Sequence, residues 1–244
     1  MTPRLRSGSM VSGVEPLMDN NRRINPRTNY NIVKSKYAIG VGVKAIIFDL
    51  GNVLIDFDHM IAAQKISQFT DKTANEIFNL FFDSELTALF EEAKISPSQF
   101  FSKVKETLNL RLDYAGFEPI WNQIFFFSEK NLSVYNLALI LKKHYKLTFL
   151  SNINILHFEY IKKTFPMINA FQVMTSCELG LRKPQSQIYH KALETLRVSP
   201  GDCFYTDDRP ELIESARGLG IKGFVFRDIE QLKKDLLDAG VNIN

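Results

Sequence analysis

The stretch Ala45-Ile46-Ile47-Phe48-Asp49-Leu50-Gly51-Asn52-Val53-Leu54 decides how the chain is read. An apolar run leads into Phe48, a lone carboxylate follows, then a glycine turn and further apolar residues. A short run of this kind, bounded by turn signals, has the composition of a strand buried on both faces at the centre of a parallel sheet. Asp49 then falls at the strand's carboxyl end, the edge at which open α/β sheets place their ligands. Taken alone, the aspartate serves equally well to turn or cap the chain, so the decision rests on what lies downstream.

Downstream, helical and strand patterns alternate. Apolar spacing predicts helices over 131–145, 155–165, 184–196 and 210–219, and a last helix capped by Asp228; strands are predicted over 147–150, 171–174, 203–206 and 223–226. Alternation of this kind means βαβ units, right-handed crossovers and a parallel sheet. The expected fold class is therefore α/β, with a Rossmann-like core over 41–57 and 128–244. One block interrupts the alternation. Over 58–127 the pattern is helical, and eleven of the 20 phenylalanines fall between Phe69 and Phe127. Ile77, Phe78, Phe81 and Phe82 recur at helical spacing, as do Phe100, Val104 and Leu108, with helix starts expected at Asp71, Ser84 and Ser96. A phenylalanine stripe at this spacing reads as core, so the block is a self-contained helical bundle inserted into the alternation, entered through a short flap at 55–58.

Composition bounds the function. A chain of 244 residues, 45% hydrophobic, can bury a full core. Its net charge of +3 belongs to one end: eight of 30 Lys/Arg and two of 27 Asp/Glu lie in 1–44, leaving 22 bases against 25 acids and a net of −3 beyond. The body offers no general attraction to nucleic acid. No apolar run reaches membrane-spanning length, and Cys177 and Cys203 are too few for a disulfide scaffold. The expectation is a soluble cytoplasmic protein, monomer or homodimer, with no nucleic acid or membrane partner. Residues 1–40 form a basic leader without helical or strand period. It is expected to be disordered; an upstream start (Met10 and Met18 being alternatives) or an organellar transit peptide are the other readings.

Polar residues recur where the predicted strands end: Asp49, Ser151 followed by Asn152, and Asp207 with Asp208. Lys183 adds a cation in a Gly180-Leu181-Arg182-Lys183-Pro184 loop opening a helix. In a parallel sheet these ends share one edge, so distant residues converge on one crevice. The acids can hold Mg²⁺, a hard cation that takes oxygen ligands and keeps room for substrate phosphate. Cation and Lys183 together neutralise a phosphoryl group, so that a carboxylate can attack it rather than repel it. Ser151 would hydrogen-bond a phosphoryl oxygen.

These residues resemble, in order, the four motifs of the haloacid dehalogenase superfamily of phosphohydrolases: Phe48-Asp49-Leu50-Gly51-Asn52-Val53-Leu54, Leu150-Ser151-Asn152, Gly180-Leu181-Arg182-Lys183-Pro184 and Tyr205-Thr206-Asp207-Asp208. The wording is most similar to the α-D-glucose-1-phosphate phosphatase branch, near the phosphatase domain of soluble epoxide hydrolases. The resemblance implies that the inserted block at 58–127 is a helical cap closing over the substrate, and that the protein is a Mg²⁺-dependent phosphatase acting on a small phosphorylated metabolite such as a sugar 1-phosphate. Asp49 would be the nucleophile that forms an aspartyl-phosphate. Asp49, the Gly51 carbonyl and Asp208 would ligate the metal, with Asp207 orienting or joining that set. Ser151, Asn152 and Lys183 would bind the phosphoryl group.

One departure matters. Most phosphatases of this kind carry a second aspartate where this chain has Gly51, and losing a general acid/base forfeits about 10²–10⁴-fold in rate. The substrate then has a good leaving group, or Asp56, Asp58 or a cap residue supplies the proton, or the protein is a low-turnover pseudophosphatase that binds phospho-ligands. A haloacid dehalogenase is the further alternative, disfavoured by the Asp207-Asp208 pair. His59, His144, His157 and His190 lack metal spacing and read as surface or packing residues. Arg182 and Arg209 read as salt-bridge or substrate residues, and Glu91-Glu92-Ala93-Lys94 as a solvated helix end.

Overall fold

The computed structural model describes residues 42–82 and 84–243; the expectations for the leader lie outside the described residues. Among the described residues seven strands form two sheets. They are β1 (Ala45–Phe48), β2 (Asp56–Phe57), β3 (Phe125–Phe126), β4 (Lys146–Ser151), β5 (Gln172–Thr175), β6 (Cys203–Asp207) and β7 (Lys222–Val225). The main sheet runs β5-β4-β1-β6-β7 with every neighbouring pair parallel. β1 is its centre and is buried throughout, as its apolar composition requires.

The alternation of side chains along β1 feeds two cores. Ile46 and Phe48 join Phe149 and Phe204 beneath α6 (Glu129–Leu141) and α11 (Ile229–Asp238). Ala45 and Ile47 join Leu150 and Tyr205 beneath α9 (Ser186–Leu196) and α10 (Pro210–Gly218). Register does the rest: Phe48 pairs with Phe149 on one side and Thr206 on the other. The Asp49 amide donates to the Thr206 carbonyl at 2.9 Å. Asp49, Ser151 and Asp207 therefore leave the sheet at one edge.

The helical block holds α1 (His59–Ile66), α2 (Ala74–Phe81), α3 (Glu85–Glu91), α4 (Pro97–Leu108) and α5 (Tyr114–Asn122). Ser84 and Ser96 cap α3 and α4 as expected. The start expected at Asp71 falls instead at Thr73. Its hydroxyl accepts from the Glu76 amide while Glu76 accepts from the Thr73 amide, so two otherwise open donors are satisfied together. The block also ends sooner than its composition suggests. α5 stops at Asn122, and β3 pairs antiparallel with β2, so the expected flap is one strand of a ribbon joining both ends of the block.

Inside the block the phenylalanines surround Trp121. Its ring lies 4.6 Å from Phe81 and 5.0 Å from Phe100, and Phe100 stacks on Phe90 at 4.4 Å. This core touches the sheet domain through α7 (Ile155–Thr164), whose His157 stacks on Trp121 at 4.6 Å. His157 Nε2 lies 3.0 Å from the Trp121 carbonyl and Nδ1 lies 3.0 Å from the Asn154 side-chain amide. Of the four histidines read as surface or packing, His144 and His190 are exposed and His157 is buried packing. The helix α8 (Ser176–Leu179), ended by Gly180 at φ +67°, is too short for any periodic signal. Both cysteines are free thiols, and among the described residues no helix is long and apolar enough to cross a membrane.

Burial holds His157 down to about 3, and repulsion from His59 adds to this; burial likewise holds His59 down to about 4. Both therefore fold neutral and become protonated in the unfolded chain. Their contribution is fully present above pH 6.5 and is lost as pH falls toward 3 to 4, at up to about 1.4 kcal/mol per pH unit per histidine. Urea unfolding at several pH values between 7 and 4 is expected to show this slope, reduced by one proton in His157→Gln. An unchanged slope in the variant would contradict the assignment.

Candidate active site

The carboxyl edge of the sheet gathers three aspartates and one lysine. Asp49 follows β1, Asp207 ends β6, and Asp208 follows it. Oxygens of the three lie within 4.8 Å of one another. Lys183 reaches them from the loop between α8 and α9. Its Nζ donates to Asp49 Oδ1 at 2.7 Å and to Asp207 Oδ2 at 2.6 Å. Asn152 builds that loop, its side chain donating to the Lys183 carbonyl at 2.9 Å and accepting from the Lys183 amide at 2.8 Å. Expected to bind substrate, Asn152 has its amide engaged by the lysine main chain. Ser151 lines the cavity at the end of β4.

Charge at this edge is unbalanced. Burial pushes the Asp49 carboxyl up, to about 7; Lys183 pulls it down, while Asp207 and Asp208 push it up further. Burial works against the Lys183 ammonium too, but Asp207 and Asp49 outweigh it and hold the proton on more tightly than usual. Burial also raises Asp208, whose Oδ2 accepts from Asn52 Nδ2 at 2.9 Å. Asn52 attains that reach through a left-handed backbone conformation at φ 54°. Three carboxylates against one ammonium leave a buried surplus of negative charge, which is costly without a counter-ion.

The donor set suits a hard divalent cation. Asp49, Asp208 and the Gly51 main chain border one cavity of about 170 Å³, and all offer oxygen. Asp207 has both oxygens engaged, Oδ2 by Lys183 and the Tyr205 hydroxyl and Oδ1 by the Arg209 amide at 3.0 Å. Larger surface grooves of about 520 and 680 Å³ lie at the amino end of the strands, around Lys146 and Lys44, away from the acidic cluster.

The helical block closes over this edge and corrects three expectations. Glu91 and Glu92 are not a solvated end. Glu91 pairs with Arg182 at 3.1 Å, and the buried Glu92 carboxylate meets Gln185 and Lys94, tying α3 to the lysine loop. Asp56 and Asp58 do not face the cavity. Burial would raise Asp56, but hydrogen bonds from Lys130, Asn131 and Ser128 hold its carboxyl below the usual range; exposed Asp58 caps α1 through the Met60 amide at 2.8 Å. His59 is neither surface nor mere packing: it lines the cavity with Asp49 and Gly51. Finding it from sequence required knowing how the β2–β3 ribbon brings the start of α1 to the cavity.

Gly51 is a matter of space. A Cβ built on it would lie 2.7 Å from Phe57 Cε1, so the Phe57 ring occupies the place a side chain would take.

An α/β sheet whose carboxyl edge holds acids around a buried lysine, with a helical block lining the same cavity, is of the class that places its ligand site at that edge. The chain belongs to the haloacid dehalogenase-like hydrolase family, whose profile matches residues 43–220. It is 24% identical over 189 residues to D-ribitol-5-phosphate phosphatase of Bacteroides thetaiotaomicron, covering 75% of this chain and 91% of that enzyme. It is 39% identical over 69 residues to flavin mononucleotide hydrolase 1 of Arabidopsis thaliana, a stretch spanning 28% of each chain. A Bacteroides thetaiotaomicron HAD family enzyme in complex with magnesium and inorganic phosphate shares the fold, with TM-score 0.66 and 24% identity over 76% of this chain and 95% of that one.

Two substitutions test the edge. Lys183→Met strands the carboxylates and is expected to cost about 3–5 kcal/mol in chemical denaturation, partly recovered in Lys183→Met/Asp49→Asn; an unrecovered loss would place the lysine's role elsewhere. Gly51→Ala is expected to cost about 1–3 kcal/mol by crowding, and less in a Phe57→Leu background. Equal costs in both backgrounds would remove Phe57 as the cause.

Proposed function

We propose that the protein is a Mg²⁺-dependent phosphatase that hydrolyses a small phosphomonoester through an aspartyl-phosphate on Asp49. The observation that carries this reading is the Lys183 ammonium held between Asp49 and Asp207, with Asp208 beside them. Lys183 keeps one oxygen of Asp49 fixed and leaves the other to approach phosphorus in line with the departing alcohol. The same ammonium lies where the phosphoryl charge must be met, and Ser151 donates a hydrogen bond to it. Asp49, Asp208 and the Gly51 carbonyl would hold Mg²⁺, which when bound supplies positive charge to the phosphoryl oxygens and to the buried carboxylates. Asp207, braced by Tyr205 and the Arg209 amide, holds the lysine in place. Water then cleaves the acyl phosphate and returns Asp49. The helical block acts as the cap that excludes bulk water during this exchange.

The size of the cavity and the substrates named for two relatives support a substrate class. D-ribitol 5-phosphate and flavin mononucleotide both carry phosphate on the terminal carbon of a ribityl chain. The cavity of about 170 Å³, with an adjoining chamber of about 60 Å³ past Gly51, suits a phosphate and a short polyol better than a fused ring system. We therefore place a terminal polyol or sugar phosphate ahead of flavin mononucleotide. Phosphate release from ribitol 5-phosphate, a hexose 1-phosphate, flavin mononucleotide and p-nitrophenyl phosphate, with and without Mg²⁺, tests this. Activity is expected to need Mg²⁺ and to fall at least roughly 10³-fold in Asp49→Asn. Metal-dependent release by that variant would contradict the role of Asp49, and wild type inert on all four would favour a phospho-ligand binder.

A further inference from the structure

Expelling an alkoxide from phosphorus requires a proton at the departing oxygen, and cleaving the acyl phosphate requires one to be taken from water. The sheet edge has no obvious group for this. Lys183 is committed to Asp49 and Asp207, Asp208 is bonded by Asn52, and Gly51 has no side chain. On the wall beneath the helical block, Glu91 pairs with Arg182 and Arg209 with Glu211. His59 is different. Its Nδ1 is buried and meets no hydrogen-bond partner, although the ring borders both the main cavity and the inner chamber. An orphaned ring nitrogen of this kind is costly unless a ligand or water completes it.

The ring is also held in place. It packs edge-on against Phe57 at 5.3 Å, and lies 5.9 Å from Trp121 and 6.2 Å from Phe82. Phe57 is the ring that fills the space beside Gly51. The imidazole thus packs on the ring that occupies the place of a side chain at 51, and borders the same cavity as Asp49.

We infer that His59 is the proton carrier of the proposed reaction. This rests on the phosphatase reading above. In the first half, an Asp49 oxygen bonds to phosphorus, the bond from phosphorus to the alcohol oxygen breaks, and the imidazolium gives its proton to the alcohol. In the second half, water oxygen bonds to phosphorus, the electron pair of the broken bond returns to the Asp49 carboxylate, and the neutral imidazole takes the water proton. Burial keeps the ring neutral before substrate binds; the incoming phosphoryl charge favours uptake of a proton to form the imidazolium, and the proton taken from water restores it after each turnover.

Two substrates with unlike leaving groups test the inference. For p-nitrophenyl phosphate the leaving phenolate needs no proton, whereas the terminal alcohol of ribitol 5-phosphate does. In His59→Gln and His59→Asn, kcat/KM is expected to fall about 10²–10⁴-fold for ribitol 5-phosphate and less than about tenfold for the aryl ester, whose kcat falls as the acyl phosphate accumulates, seen as a burst of p-nitrophenolate. Equal losses on both substrates, or none on either, would overturn the inference. Should neither variant fold, the wild type decides: kcat/KM across aryl and alkyl phosphates is expected to depend weakly on leaving-group pKa, and a steep dependence would overturn it. Wild type without phosphatase activity would instead count against the proposed function itself.

Discussion

The Lys183 ammonium, buried between Asp49 and Asp207, is the interaction on which the rest of this structure depends. It ties the central strand to its neighbour at the edge where both end, and its own loop is clasped by Asn152 from a third strand. An ammonium in such a place is stable because two carboxylates compensate its lost hydration. The arrangement nonetheless leaves acid in excess, and burial, with Asp207 and Asp208 adding to it against the pull of Lys183, raises the Asp49 carboxyl to about 7. A fold organised around an incompletely balanced charge is prepared for a cationic ligand and, through that ligand, for an anionic substrate.

The helical block answers a second requirement. Electrostatic stabilisation weakens in water, so the edge must be covered. The aromatic core around Trp121 and its contact with His157 fix the block against α7, and the pairing of Glu91 with Arg182 fixes it against the lysine loop. Both contacts converge on one small cavity. Phe57, at the root of the block, fills the space that Gly51 leaves and packs against His59, which lines the same cavity as Asp49.

Much of this was legible in the residues. The unbroken apolar run 45–48 reads as a strand at the middle of a sheet once helices and strands alternate downstream, and the polar residues closing β1, β4 and β6 were placed by register once the strands were parallel. What escaped depends on docking rather than on local pattern. Glu91 and Glu92 look solvated until α3 meets the loop at 180–185. Asp56 and Asp58 look available until Lys130 and the start of α1 claim them. His59 has no spacing partner, because its significance comes from the cavity it shares with Gly51 once the β2–β3 ribbon has formed. α8 is a single turn, below the length at which periodicity exists.

Magnesium titration followed by both calorimetry and thermal unfolding, with no substrate present, tests the surplus of negative charge directly. Wild type is expected to bind one Mg²⁺ and to gain about 2.7 kcal/mol at a hundredfold excess over Kd, whereas Asp208→Asn binds weakly and gains little. Wild type that neither binds Mg²⁺ at millimolar concentration nor gains stability from it would contradict the account, as would equal binding by the variant.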